Sequence, residues 1–123
     1  MALYNHLPIY KQCYDFLLRI ISAINNFPRD YKYTLGEKIQ NVSIDIIVSI
    51  YQANSAKNKI PHLQNMLTNI QMLYLFLRIS HDLKILSTEK YANFIEMTDN
   101  ISRQAQGWLS STEKLPEPDQ VTV

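Results

Sequence analysis

Chain breakers are scarce in this sequence, with two glycines and five prolines among 123 residues, and two of those prolines, Pro116 and Pro118, stand near the C-terminus. That scarcity argues against many short strands joined by tight turns and in favour of long helices. The lone cysteine, Cys13, excludes an intrachain disulfide framework and fits a reducing cytoplasm. The chain does not open on a basic segment followed by an apolar one. Its longest apolar run, Met72 to Leu77, falls far short of the roughly 20 residues that cross a bilayer. Strong net charge is also missing, at +1 overall. Residues 1–111 hold 11 basic against 8 acidic side chains, a charge of +3. A charge of that size permits a nucleic-acid partner without demanding one.

What is present is an apolar content of 46% against 19% charged, the balance of one globular domain with enough residues to bury a core. Tyrosine is abundant, eight residues beside four Phe and one Trp, and its apolar body with a polar tip suits interfaces.

Helical spacing runs through most of the chain. Pro8 is placed to open a first helix, whose stripe is Ile9, Cys13, Phe16, Leu17, Ile20 and Ile24, widened by Tyr10, Tyr14, Leu18 and Ile21. Asn25-Asn26-Phe27-Pro28 stops it. Thr34-x-x-Glu37 matches a capping box at the start of a second helix. That helix carries two stripes: Leu35, Ile39, Val42, Ile46 and Ile50, then Ile44, Ile47, Val48 and Tyr51. One bundle core needs one stripe, so two imply burial on two sides. Pro61 opens a third helix, expected to run to about Leu86, with Leu63, Met66, Leu67, Ile70, Leu73 and Leu77 inward. A second row, Met72, Phe76, Ile79 and Leu83, occupies only its later half, as a subunit contact at one end would require. Ser87 caps a fourth helix with Tyr91, Phe94, Ile95, Ile101, Ala105, Trp108 and Leu109 inward, ending near Ser110. Short connections make the fold all-α, an antiparallel up-down-up-down four-helix bundle over residues 1–111. Residues 112–123 read as an acidic tail without fixed structure.

No catalytic constellation emerges. His6, His62 and His81 lack metal-ligand spacing, and Cys13 sits on an apolar stripe, where a core thiol is the simpler reading than a nucleophile. Asp15, Asp45 and Asp82 fall on three helices without the inward i, i+3 partners that a bundle enzyme uses. Arg78 and Asp82 stand at i, i+4, most simply a structural pair. The stretch from Phe27 to Tyr33 mixes basic and aromatic residues as nucleic-acid surfaces do. A loop whose aromatics staple the helix starts is the simpler explanation on composition alone. Lys11, Arg19, Lys38, Lys84, Lys90 and Arg103 are scattered on polar faces.

The segments Ile9-Tyr10-Lys11, Tyr14-Asp15, FPRDYKYTLGEKIQ from Phe27 to Gln40, and Tyr51-Gln-Ala-Asn54 resemble those of accessory variability determinant (Avd) proteins of diversity-generating retroelements. Arg78-Ile-Ser-His-Asp82-Leu-Lys84 and Gly107-Trp108-Leu109 look like the same family's third-helix and C-terminal patterns. More loosely, the chain is similar to the four-helix-bundle proteins of ribosomal RNA intervening sequences. The resemblance implies a cytoplasmic homopentamer that binds the reverse transcriptase and its RNA or DNA and supports mutagenic copying. It implies no catalysis, no cofactor, no metal, no small-molecule substrate and no membrane. In such a ring the candidate nucleic-acid contacts are Arg29, Lys32, Lys38, Arg78 and Lys84, and the candidate subunit contacts are Ile44, Ile47, Tyr51, Met72, Phe76 and Ile79. The chain departs from the strongly basic character common in that family. The alternative is a protein-only interaction scaffold without nucleic acid.

Overall fold

The computed structural model describes residues 3–115. After a 3-10 turn at Tyr4–His6, the chain forms α1 (Pro8–Ile24), a single helical turn α2 (Arg29–Lys32), α3 (Leu35–Ser55), α4 (Ile60–Asp82) and α5 (Thr88–Glu113). Helix α1 packs beside α3 and α5, and so does α4, which sets α1 and α4 on a diagonal and yields the antiparallel four-helix bundle. No described helix is long and apolar enough to cross a membrane.

The core is built from the inward stripes. Ile20, Ile39, Ile50, Leu63, Met66, Ile70 and Leu77 are wholly removed from solvent. Each such side chain contributes about 1.5–3 kcal/mol, which holds α3 helical despite its many β-branched residues. Serine and threonine fill the tight seams, and their hydroxyls donate to the carbonyl one turn back: Ser43 to Ile39 at 2.7 Å, Ser80 to Phe76 at 2.9 Å, Thr98 to Phe94 at 2.7 Å. No buried side-chain polar atom among the described residues is left without a partner.

The helix ends depart from the sequence reading in three places. Thr34 does not form the capping box, because α2 precedes it and leaves carbonyls unpaired. Its hydroxyl donates back to Asp30 O at 3.0 Å instead. Helix α4 stops at Asp82, four residues earlier than expected. There Ile85 N–H donates to Ser80 O at 2.8 Å and Lys84 N–H to His81 O at 2.9 Å, a backbone closure that needs Lys84 in left-handed geometry, φ 63°. The reversal buries Leu86 and leaves Ser87 free to accept from Lys90 N–H at 3.2 Å, capping α5 as expected. Finally, α5 continues to Glu113, past Ser110, since Ser-Thr-Glu contains no breaker and the first proline is Pro116. The expected tail lies, from residue 116 on, outside the described residues.

Candidate nucleic-acid interface and apolar flanks

Antiparallel connectivity puts the end of α1, all of α2, the start of α3, the end of α4 and the start of α5 at one end of the bundle. The five candidate cations follow. Arg29 and Lys32 lie on α2, Lys38 on the first turn of α3, Arg78 near the end of α4 and Lys84 at the α4–α5 corner. Sequence reasoning left Lys90 among the scattered charges, yet the first turn of α5 brings it to the same end. Asp30, Glu37, Asp82 and Glu89 are interleaved with them.

Glycine makes this end compact. A Cβ on Gly36 would sit 2.7 Å from Ile24 Cγ2, so only glycine lets α3 begin hard against the last turn of α1. That contact, together with Phe27 buried beneath it, holds α2 outward as a platform. Beside α2 lies an open groove of about 350 Å3 lined by Asn25, Lys32, Tyr33, Glu37 and Gln40 among others. The Lys32 ammonium stands 5.8 Å from the centre of the Tyr33 ring, a cation–π arrangement at an exposed site. Arg29, Lys38 and Lys84 are exposed and their side chains have no acid partner among the described residues. Arg78 pairs with Asp82 at 3.6 Å, both well exposed, a contact worth little in water.

The candidate subunit residues divide between two flanks. On α3, Ile44, Val48 and Tyr51 are exposed and Ile47 is half-buried. Their flank faces α1, because Tyr51 packs edge-on against Tyr4 (5.1 Å), Tyr4 against Tyr10 (5.3 Å), and Tyr10 stacks on Tyr14 of α1 (6.0 Å). Tyr14 and Leu18, exposed on α1, extend the same apolar surface. On α4, Met72, Phe76, Ile79 and Leu83 share a flank with Asn65, which they follow by 7, 11, 14 and 18 residues. Asn65 donates to Ser49 Oγ at 3.3 Å, so this row lies on the opposite side of α3 from Tyr51. The two apolar rows are therefore two separate surfaces of the protomer. Tyr4 and the exposed Leu75 were not anticipated, since neither belongs to a row that the sequence makes periodic.

Other polar side chains serve the bundle. His81 bridges the α4–α5 corner, with Nδ1 3.2 Å from Asp82, Nε2 3.2 Å from Thr88 Oγ1, and its ring stacked on Tyr91 at 4.5 Å. Tyr74 donates to Asp99 across α4 and α5, and burial, then the hydrogen bond and charge of Asp99, push its hydroxyl up to about 12. Burial pushes the Cys13 thiol up to about 12, which leaves it a core group and a poor nucleophile. Asp15, Asp45 and Asp82 all face outward, and no group of three or more His, Cys, Asp or Glu among the described residues could hold a metal ion.

A family model described as bAvd-like matches residues 7–112. No curated protein matches the chain.

Proposed function

The chain belongs to the bAvd-like family, and from that footing we propose that it is a non-catalytic accessory protein of a diversity-generating retroelement. In this reading it acts in the cytoplasm, binds the reverse transcriptase and its RNA or DNA, and supports mutagenic reverse transcription. The observation that carries the nucleic-acid part is the gathering of Arg29, Lys32, Lys38, Arg78 and Lys84 at one end, most of them free of acid partners. Five such cations on phosphates displace condensed counterions, so binding weakens steeply with salt and reads sequence little.

The two apolar flanks support assembly. A flank holding Tyr51, Ile47 and Ile44 and another holding Met72, Phe76 and Ile79, on opposite sides of α3, suit a head-to-tail contact in which one protomer's first surface meets its neighbour's second. Such contacts close into a ring where the rotation between neighbours closes, and a homopentamer is the proposed ring. Repeating the basic end around it multiplies a modest protomer charge into a field that one copy lacks.

The test combines light scattering with titration of a fluorescent RNA at two salt concentrations. The expected result is a pentamer whose RNA affinity falls with salt, and whose Arg29→Glu/Lys32→Glu variant loses RNA retention with an unchanged circular dichroism spectrum. Retention by that variant removes α2 from the site. The near-neutral net charge of +1 favours one other reading, a protein-only scaffold. It predicts salt-insensitive binding to a single protein and none to RNA.

A further inference from the structure

The seam between α1 and α5 is the thinnest of the four in the bundle. At the basic end it opens into a groove of about 200 Å3 that the functional reading above leaves unused. Arg19 and Asn26 stand on the α1 side, Lys90 and Asn93 on the α5 side, and Phe94 and Met97 line it from α5. Phe94 is almost wholly buried and its ring meets Phe16 edge-on at 5.5 Å, so the floor is apolar and rigid.

The polar groups at this groove have capacity to spare. The Lys90 ammonium and the Asn93 amide make no hydrogen bond or ion pair among the described residues. Arg19 gives only its Nε–H to Asp15, at 3.0 Å, which leaves its terminal nitrogens available. Asn26 donates weakly to Ser22 O at 3.4 Å and keeps its carbonyl oxygen. Two primary amides supply donors and acceptors of the kind a base edge pairs with. Two cations supply a phosphate contact, and half-buried Met97 with the little of Phe94 that is exposed supplies an apolar floor against which a base can rest.

Size narrows the occupant. The groove is smaller than the roughly 300 Å3 at which drug-sized pockets begin, so it suits a single base, and a duplex keeps its bases in the stack. We infer that the α1–α5 groove holds the base of one unpaired nucleotide, over Phe94 and Met97 with its edge toward Asn26 and Asn93, while the phosphate stays at the rim between Arg19 and Lys90. The inference rests on the nucleic-acid reading above and refines it: the preferred partner is a single strand or a looped-out base, not a helix. A free mononucleotide offers the same chemistry.

The experiment uses the full chain and fluorescence anisotropy at two salt concentrations. A labelled 12-nucleotide RNA strand and the same strand in a duplex are titrated onto wild type, Asn93→Leu, Lys90→Gln and Arg29→Glu/Lys32→Glu. Wild type is expected to prefer the single strand by about tenfold, the low end of what one bound base contributes. Asn93→Leu removes the amide donors and acceptor at nearly constant shape and unchanged charge, and should remove that preference while duplex binding and circular dichroism stay unchanged. Lys90→Gln should weaken single-strand binding and reduce the salt slope by about 0.7, the value for one phosphate on a single strand. Competition by uridine monophosphate would identify a free nucleotide as an occupant; its absence would assign the groove to the strand. Equal affinity for strand and duplex, or groove variants that bind the strand as wild type does, would overturn the inference. If the Arg29→Glu/Lys32→Glu variant alone lost binding, the nucleic-acid reading would stand and the groove would fall. A wild type that binds no RNA would sink both.

Discussion

The two ends of the bundle use lysine in opposite ways. At the α3–α4 end, Lys59 turns inward and its ammonium donates to the carbonyls of Ala53, Asn54 and Ala56 at 2.8, 3.1 and 3.1 Å, closing the open C-terminus of α3. At the α4–α5 end, the last turn of α4 closes through backbone N–H groups of Lys84 and Ile85, so the Lys84 side chain has no such carbonyls to satisfy and faces solvent. A helix end leaves four carbonyls unpaired, and whatever reaches them first sets what the nearby side chains are free to do. One end binds its own cation; the other leaves several exposed to solvent.

The largest effect expected from that contrast is on stability. Lys59→Met keeps the aliphatic stem but removes three charge-assisted bonds, and should lower the unfolding free energy by about 2 kcal/mol. Lys84→Met should leave it nearly unchanged, and both are read from urea unfolding midpoints. Equal midpoints for the two variants would erase the distinction between the ends.

The two glycines sharpen it next. Gly36→Ala drives a methyl against the branched, buried Ile24, and the strain should outweigh the helix-propensity gain, a net loss of about 1–2 kcal/mol. Gly107→Ala meets nothing within 4 Å and should instead gain about 0.5–1 kcal/mol. Thermal melts of the pair should move in opposite directions. The smallest shift belongs to Lys84→Gly, which relieves the left-handed backbone and should stabilise by about 0.5 kcal/mol. RNA affinity should fall in the same variant, so that stability and binding separate at one position. A melt that drops would show that φ 63° carries no strain here.

Much of the bundle was legible because apolar periodicity is a local property. The inward stripes of α1, α3 and α4 were read from spacing alone, and Ile20, Ile39, Ile50 and Leu77 are buried as that spacing requires. Ser87 was legible as a cap for the same reason, since its partner is three residues away. Thr34 misled because its hydroxyl had a second local partner in Asp30, which the capping pattern does not weigh. The end of α4 misled because Leu83 and Leu86 continue an apolar rhythm while the chain between them turns back. The Tyr51–Tyr4–Tyr10–Tyr14 row was out of reach, since Tyr4 precedes any periodic segment.

The sequence by itself determined where the four long helices lie, to within a turn at their ends, and which face of each is apolar, because both follow from 3.6-residue spacing and from breakers such as Pro28. The tertiary structure alone decided that Arg29, Lys38, Lys84 and Lys90 share one end, that the outer apolar rows of α3 and α4 lie on opposite sides of α3, and that Lys59 is held by carbonyls while Lys84 is not. Those outcomes depend on which helices become neighbours and how each helix end is closed. Contacts between residues far apart in the chain settle that, and no local pattern encodes it.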